Sequence, residues 1–397
     1  MERRTFLAPV IVVVLVVGAA TPAHAASPRW IQRVDAIVAG HPMSVMVGND
    51  GDAWYRHDAS TQRAPASNEK LLLSMALYDQ LGPVHTFPLT ALGAPIDPNG
   101  VVLGDLYLQG QGDPDVADAR LDTLADALWT AGVRRVAGSV IGVTGPFRRD
   151  WWAPGWKSYF PADEVALPTA LTFRSNQDGA GTHITDPESR AASYLTHSLR
   201  SLGVRIPGTP GAGELPSGLT ELATVASPHL RALVRRMDRT SINFSAEVLG
   251  KALAFDVTGV GSISQAAASI CAFEAAHGVT ATCRDASGLS YGNRQTAAGI
   301  VRLLWAADKQ PWAQVLRISL PTAGVGTLKG RLANVRIRAK TGTLDNVSAL
   351  SGWVWSDRAH TWIEFSLLTS GMDEWTAKDL EDRVVHVLAT GAKNPTP

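Results

Sequence analysis

The sequence contains little cysteine and no histidine motif typical of a metal site. Only two of its 397 residues are cysteines, Cys271 and Cys283. Neither lies beside a histidine-bearing motif, so a cysteine nucleophile is not expected. The ten histidines are scattered and include no His-Glu-x-x-His pair, which argues against zinc catalysis. We therefore expect an activity that needs neither a metal nor another cofactor.

The chain also lacks an excess of either positive or negative charge. Lysines plus arginines equal aspartates plus glutamates at 36 each, and no basic stripe interleaves with aromatic residues. This pattern argues against a nucleic-acid partner. With 45% hydrophobic and 18% charged residues, the chain is predicted to be globular and long enough for two domains.

A long apolar run occurs only at the N-terminus. Arg3 and Arg4 precede an apolar stretch over 6–20, and the small-x-small triplet 23–25 follows. This pattern predicts a secretory signal peptide over residues 1–25. The stretch is shorter than the roughly 20 residues of a membrane span, although an uncleaved anchor is the alternative. Either way we expect an exported, extracytoplasmic protein that contacts the membrane only through this segment.

The two cysteines have two interpretations in that compartment. Cys271 and Cys283 are close in sequence, so they either form a disulfide that closes a short loop or remain two buried thiols. The sequence leaves both open.

Local patterns predict the order of the structural elements. The stretches 43–48 and 53–57 alternate like a hairpin, and a helix is expected from just after Ser67 until Gly82. From about residue 87 to 213 the composition shifts toward short strands, glycine and proline, and 207–218 is typical of a linker. Beyond it, helices are predicted over 228–238, 241–255, 262–277, 296–308 and 373–390, and strands over 337–342, 348–355 and 362–370.

The first motif that carries chemistry is Ser67-Asn-Glu-Lys70. A serine hydroxyl needs a base within hydrogen-bond reach, and positions three apart share a helix face. Lys70 can thus act as the base for Ser67, since the helix dipole and burial both lower the pKa of a lysine there. By itself the pattern more often indicates a solvated helix start.

The second motif is Ser241-Ile-Asn243. Ser241 can relay a proton to a leaving group, and Asn243 can hydrogen-bond the lysine base or a substrate amide. Serine and asparagine are also common helix N-caps, so this motif alone would indicate only a helix start.

The third motif is Lys340-Thr-Gly-Thr343, at the end of an alternating strand. A strand edge can bind an extended peptide, and Gly342 allows its backbone to come close. Lys340 and Thr341 offer a cation and a hydroxyl to a terminal carboxylate. The amides of Thr343 and Ser67 can donate to a developing oxyanion.

The combination is far more specific than its parts. Ser-x-x-Lys, Ser-x-Asn and Lys-Thr-Gly, in this order, form the signature of penicillin-binding proteins and class A β-lactamases. On these motifs the chain resembles the class C low-molecular-mass penicillin-binding proteins, the serine-type D-Ala-D-Ala carboxypeptidase/endopeptidase family. Further matching segments are 65–71, 104–108, 112–114, 287–290, 320–324, 326–328 and 339–344.

The resemblance implies an α+β fold. A penicillin-binding, β-lactamase-like transpeptidase domain, with an antiparallel sheet flanked by helices, would consist of 26–86 and 214–397. A smaller α/β domain would be inserted at 87–213. Ser67 and Ser241 are 174 positions apart, fewer than the family leads us to expect, so we expect its further small domain to be reduced or absent.

The resemblance also implies a function. We expect a D-Ala-D-Ala carboxypeptidase, with endopeptidase activity as an option, that trims peptidoglycan stem peptides ending in D-Ala-D-Ala and is covalently inhibited by β-lactam antibiotics. Class A β-lactamases use a further glutamate to activate the deacylating water, and 243–340 lacks a Glu-x-x-Leu-Asn-like segment, so slow release of the penicilloyl group is expected. A β-lactamase or esterase on the same scaffold, or an inactive peptidoglycan-binding module, are the alternatives.

The aromatic run at 151–160 has two interpretations. Its side chains either stack on glycan rings or anchor the inserted domain on the catalytic one. The second is favoured because large aromatic side chains usually contribute buried area.

Overall fold

The computed structural model describes residues 1–2 and 27–395. The apolar stretch and the cleavage triplet of the expected signal peptide lie outside the described residues. Within the described ranges, no helix has both the length and the hydropathy to cross a membrane.

Twelve strands occur in the part of the chain that the structure describes. They are β1 (Met43–Asn49), β2 (Asp52–His57), β3 (Pro88–Gly93), β4 (Val101–Val102), β5 (Leu106–Gly110), β6 (Arg135–Val136), β7 (Val140–Val143), β8 (Gly211–Gly213), β9 (Thr220–Ala226), β10 (Ile337–Leu344), β11 (Val347–Ser356) and β12 (Thr361–Thr369). One five-stranded sheet has the order β10-β11-β12-β1-β2 and is antiparallel throughout. A second, mixed sheet has the order β8-β7-β5-β3-β9, and β4 pairs with β6.

Eleven α-helices accompany these strands between residues 27 and 395. They are α1 (Arg29–Val38), α2 (Glu69–Gln80), α3 (Asp118–Thr130), α4 (Phe160–Asp163), α5 (Pro187–Ser201), α6 (Leu230–Thr240), α7 (Asn243–Thr258), α8 (Ile263–Ala276), α9 (Ala297–Asp308), α10 (Ala313–Ser319) and α11 (Glu374–Gly391). Short 3₁₀ turns lie at Ala66–Asn68, Arg174–Asn176 and Gly326–Leu328.

The antiparallel sheet is covered by helices on both faces. Val45 and Val47 of β1 pack with α1 and α11, whereas Met46 between them packs with α2 and α6 to α10. This alternation follows from the two-residue period of a strand. The second sheet forms its own core with α3 and α5, which includes Leu108, Leu124 and Leu195.

Most of the elements predicted in the C-terminal half are present within a few residues of the predicted bounds. Their starts carry side-chain caps: Ser262, Thr296 and Asp373 each accept a hydrogen bond from a backbone amide three residues later. The hairpin of β1 and β2 is confirmed as an antiparallel pair. Helices α1, α4, α5 and α10 were not predicted.

The expected boundary at residue 213 is too early. Strand β9 pairs with β3 in the second sheet, with Leu89 opposite Val225, so this sheet extends to Ala226. The stretch 207–218 is not only a linker, because it contains β8. A pairing between strands so far apart in sequence leaves no local pattern, which explains the error.

The expected insertion is also not one self-contained unit. Its residues 147–170 lie against α7, where the buried Lys251 ammonium donates to the carbonyl oxygens of Arg148, Asp150 and Pro168 at 2.9–3.0 Å. This segment therefore belongs with the helices around the antiparallel sheet.

Two open questions about side chains are answered by the structure. Trp156 and Phe160 of the aromatic run are buried against Ile263 and Leu289. They contribute buried area, as expected, but within the unit around the antiparallel sheet and not between two domains. Cys271 of α8 forms a disulfide with Cys283, and the two Cα atoms lie 5.8 Å apart.

Candidate active site

Ser67 lies in the 3₁₀ turn that leads into α2. The sequence predicted the start of a helix here, and the structure adds that the turn is tight: Ala66 has a φ of 47°, a left-handed conformation that non-glycine residues rarely adopt. Ser67 is half-buried and lines a cleft of about 620 Å³.

Lys70 lies fully buried below Ser67. Its ammonium donates to Ser67 Oγ at 3.0 Å, Asn243 Oδ1 at 2.8 Å and the Ser287 carbonyl oxygen at 2.5 Å. Burial lowers the pKa of Lys70 to about 8, although nearby acidic groups, Asp285 first among them, oppose the shift. All three donors of this ammonium are thus used, and a pKa of this size leaves about a tenth of the lysine neutral at pH 7.

Ser241 and Asn243 lie where α6 ends and α7 begins. Ile242 occupies the N-cap position of α7, and no side chain caps that helix. The alternative interpretation of this motif as a capping signal is therefore wrong. Ser241 has a left-handed φ of 57°, and its Oγ accepts a hydrogen bond from Lys340 Nζ at 2.9 Å.

Lys340 is on β10, an edge strand, and is fully buried. Its ammonium also donates to the Thr341 carbonyl oxygen at 2.8 Å. Burial and the positive charge of Lys70 lower the pKa of Lys340. Thr341 is buried and donates its hydroxyl to Thr327 Oγ1 at 2.7 Å, whereas Thr343 is exposed and lines the cleft.

Two glycines allow their segments to approach the serine turn. A Cβ on Gly342 would lie 2.8 Å from the Pro65 carbonyl oxygen and 3.0 Å from the Ser67 amide nitrogen. A Cβ on Gly288 would lie 1.9 Å from the Ala66 carbonyl oxygen. Glycine at both positions therefore allows β10 and the 285–293 loop to lie against the turn that contains Ser67.

Asp285 holds that loop in shape, a role that sequence reasoning did not assign. Its buried carboxylate accepts hydrogen bonds from the amides of Gly288 and Ser290 at 2.9 and 2.7 Å and from Trp156 Nε1 at 2.7 Å. The loop in turn presents the Ser287 carbonyl oxygen to Lys70. The Asp-x-Ser-Gly spacing was a signal for this turn.

The structure brings together residues from all three motifs, since Lys70 contacts Ser67 and Asn243 and Lys340 contacts Ser241. It also adds Tyr159, Phe160, Glu164 and Tyr291 to the cleft wall. Glu164 comes from the segment before Asn243, a region with no periodic pattern that would have indicated it.

One cluster of potential metal ligands lies apart from the cleft lining in the described part of the chain. Oxygens of Glu69 and Glu274 and the sulfur of Cys283 lie within 4.8 Å of one another. Because Cys283 is bonded to Cys271, it offers no thiolate. Burial raises the pKa of both glutamates. Their side chains therefore favour the protonated form, which is a poor metal ligand.

The sequence of this chain is similar to those of known carboxypeptidases. The sequence profile of the D-Ala-D-Ala carboxypeptidase 3 (S13) family matches residues 33–167 and 158–391. The chain is 26% identical to a D-alanyl-D-alanine carboxypeptidase of Actinomadura sp. strain R39, over 87% of this chain and 80% of that protein. It is 30% identical to the carboxypeptidase DacB of Mycolicibacterium smegmatis, over 90% and 84%.

Solved structures share the fold. Penicillin-binding protein 4 (dacB) of Haemophilus influenzae superposes with a TM-score of 0.78 at 19% identity, covering 89% of this chain and 98% of that one. The predatory endopeptidase Bd3459 of Bdellovibrio bacteriovorus gives a TM-score of 0.54 at 15% identity, over 89% and 93%. The expected α+β, penicillin-binding fold is confirmed, and the chain belongs to the D-Ala-D-Ala carboxypeptidase 3 (S13) family.

Proposed function

We propose that this protein is a serine D-Ala-D-Ala carboxypeptidase that cleaves peptidoglycan stem peptides through an acyl-enzyme on Ser67. Family membership supports the activity, and one observation carries the assignment of residues: the ammonium of Lys70 lies 3.0 Å from Ser67 Oγ at the bottom of an open cleft. A buried lysine beside a serine is a base without histidine.

The first step is attack of Ser67 Oγ on the carbonyl carbon of the penultimate D-Ala. Neutral Lys70 takes the hydroxyl proton, and the amides of Ser67 and Thr343 donate to the oxyanion. Asn243 keeps Lys70 in place, because its Oδ1 accepts a hydrogen bond from the ammonium at 2.8 Å.

The second step is departure of the terminal D-Ala. Its nitrogen needs a proton as the C–N bond breaks, and Ser241 Oγ supplies it while taking one from Lys340 at 2.9 Å. The hydroxyls of Thr341 and Thr343, with the charge of Lys340, bind the terminal carboxylate. Thr341 reaches it by rotating its hydroxyl away from Thr327.

β-Lactams react at the same serine in this proposal, because the ring amide takes the place of the scissile bond. The Haemophilus influenzae protein has also been solved in complex with a β-lactam, and Bd3459 has been solved acylated by penicillin G. Endopeptidase action on cross-links remains an option, since the cleft is open and two of the solved relatives are named endopeptidases.

The domain division and the location are part of the proposal. The catalytic domain consists of the antiparallel sheet with its helices and includes 147–170. The inserted domain is the second sheet with α3 and α5, and the family's further small domain is reduced to the loop at 177–186. Export through residues 1–25 would place this peptidase in the compartment of its substrate.

A fluorescent penicillin tests the assignment. The purified protein should be labelled covalently, and mass spectrometry should locate the label on the peptide that contains Ser67. Ser67→Ala should abolish labelling, and Ser217→Ala, at an exposed serine in a loop, should not change it. Labelling that persists in Ser67→Ala would contradict the assignment. Release of D-Ala from a pentapeptide, compared with cleavage of a cross-linked muropeptide, separates the two peptidase activities.

A further inference from the structure

Glu164 is a carboxylate in the cleft that the proposed acylation steps do not use. It is exposed, directly follows α4, and lines the same cleft as Ser67, Ser241 and Asn243. The side-chain amide of Asn243 donates to the Glu164 carbonyl oxygen at 3.2 Å and to its Oε2 at 3.4 Å. The two residues are therefore held together through both backbone and side chain.

Hydrogen bonds and buried neighbouring residues fix the backbone at Glu164. Its amide donates to the Phe160 carbonyl oxygen at 2.8 Å, and Trp151 Nε1 donates to the Val165 carbonyl oxygen at 2.8 Å. Phe160 and Val165 are buried on either side of it. A carboxylate whose flanking residues are fixed in this way has a defined place above Asn243.

This carboxylate and the base Lys70 both contact the side-chain amide of Asn243. Asn243 Oδ1 accepts from Lys70 at 2.8 Å, and Lys70 donates to Ser67 Oγ at 3.0 Å. The charge of Glu164 is felt at Lys70, whose pKa it raises. The cleft thus contains two candidate bases: a buried lysine under the serine and a carboxylate open to water.

Hydrolysis of an acyl-enzyme needs a base for water as well as one for serine. Lys70 is protonated at the end of acylation, and all three of its donors have partners. A carboxylate beside water is a general base with no such restriction. The sequence contains no Glu-x-x-Leu-Asn-like segment between Asn243 and Lys340, but the fold brings Glu164 into the cleft from before Asn243.

We propose that Glu164 activates the water that releases the acyl group from Ser67, an inference that rests on the proposed acyl-enzyme. The water oxygen bonds to the acyl carbonyl carbon while Glu164 takes one water proton. The bond from that carbon to Ser67 Oγ then breaks, and Oγ takes the proton held by Lys70 at 3.0 Å. This frees the serine and releases the acyl group as a carboxylic acid, and Glu164 returns its proton to water. The penicilloyl group leaves by the same route, which sets the lifetime of β-lactam inhibition.

Glu164→Gln tests this role with little change in shape. Acylation by a fluorescent penicillin is followed in stopped flow, and the lifetime of the adduct is followed by intact-protein mass after excess penicillin is removed. Acylation should stay within about threefold of wild type, and deacylation should slow by about 10²-fold or more. Asp163→Asn, which removes an exposed charge one residue away, should match wild type in both rates.

A pH profile adds a readout that a structural role would not produce. The pH dependence of deacylation in the wild type should be lost in Glu164→Gln, which has no ionisable group at this position. Glu164→Asp, which keeps a carboxylate on a shorter side chain, should restore part of the rate.

The outcomes separate this inference from the proposed function. Absence of label on wild-type Ser67 would contradict the acyl-enzyme itself. Normal acylation of Glu164→Gln with an unchanged adduct lifetime would overturn the inference alone, as would a variant that no longer acylates. A higher KM only for stem peptides with a free side-chain amine, at unchanged lifetime, would instead make Glu164 a cation-binding residue.

Discussion

Lys340 Nζ lies 2.9 Å from Ser241 Oγ, and this pair faces a second one in which Lys70 Nζ lies 3.0 Å from Ser67 Oγ. Both lysines are fully buried, and the positive charge of Lys70 lowers the pKa of Lys340. Each of two buried ammonium groups that interact in this way disfavours the charged form of the other. One lysine can therefore accept a proton while the other donates one, as attack and departure in turn require.

This relationship predicts how acylation depends on pH. Burial lowers the pKa of Lys70 to about 8, and only neutral Lys70 can accept the Ser67 proton. Burial and the positive charge of Lys70 lower the pKa of Lys340 to about 7, and Lys340 must keep the proton that it gives to Ser241. The acylation rate should thus rise about tenfold per pH unit below pH 7 and fall again above pH 8. Acylation by a fluorescent penicillin between pH 5.5 and 9.5 measures this profile.

Lys70→Arg is the control for the pH profile. A guanidinium keeps the charge but does not lose its proton in this range, so acylation should fall by about 10²- to 10⁴-fold and the rise with pH should disappear. A flat wild-type profile between pH 6 and 8 would show that Lys70 is not the titrating base.

Gly342→Ala tests how closely β10 must approach the nucleophile. The added Cβ would lie 2.8 Å from the Pro65 carbonyl oxygen and 3.0 Å from the Ser67 amide nitrogen, so the strand or the serine turn must shift. We expect acylation to slow by about 10²-fold, since misplacement of reacting groups by about 1 Å has such an effect.

Gly179→Ala is the matched control, because a Cβ there has no atom within 4 Å. It should leave both acylation and the melting temperature unchanged. An acylation rate in Gly342→Ala equal to that of the control would show that the strand is free to move, and it would remove the reason for glycine in this motif.

Much of the fold could be predicted because its signals are local. The helices that begin after Ser262, Thr296 and Asp373 have both an apolar period and a capping side chain. The alternation of β1 and β2 and the turn between them likewise fix a hairpin. Helix α5 was missed although Leu195 and Leu199 are spaced as in a helix, because alanine and polar residues fill most of its buried face.

The site was predictable to the extent that each of its motifs is contiguous. Ser67 and Lys70 share one turn, and Ser241 and Asn243 share another. Residue type and spacing are therefore enough to identify these motifs in the sequence. Glu164 could not be found in this way, because what places it in the cleft is the packing of 147–170 on α7, through Lys251. Contacts between segments more than 80 residues apart leave no pattern in either segment.

Two buried glutamates, Glu69 at the start of α2 and Glu274 of α8, should affect stability rather than chemistry. Glu274 Oε2 accepts from Gln295 Nε2 at 2.7 Å, while its Oε1 and Oε1 of Glu69 are buried without a hydrogen-bond partner among the described residues. Burial raises the pKa of Glu274 to about 7 and that of Glu69 well above its usual value. Both side chains therefore favour the protonated form in the folded protein.

Glu274→Gln should stabilise the protein at alkaline pH. Because the folded-state pKa of Glu274 is raised from about 4.5 to about 7, its contribution to stability is full below pH 4.5 and is lost as the pH rises through 7. The loss is of the order of 3 kcal/mol. A glutamine can still accept from Gln295 and can donate its amide to Glu69, with no charge to bury.

Thermal unfolding should thus give a melting temperature several degrees above wild type at pH 8 and about equal at pH 5. Glu221→Gln, at an exposed position, should show no such pH-dependent difference. A variant that is less stable than wild type at pH 8 would mean that Glu274 is needed there as a carboxylate.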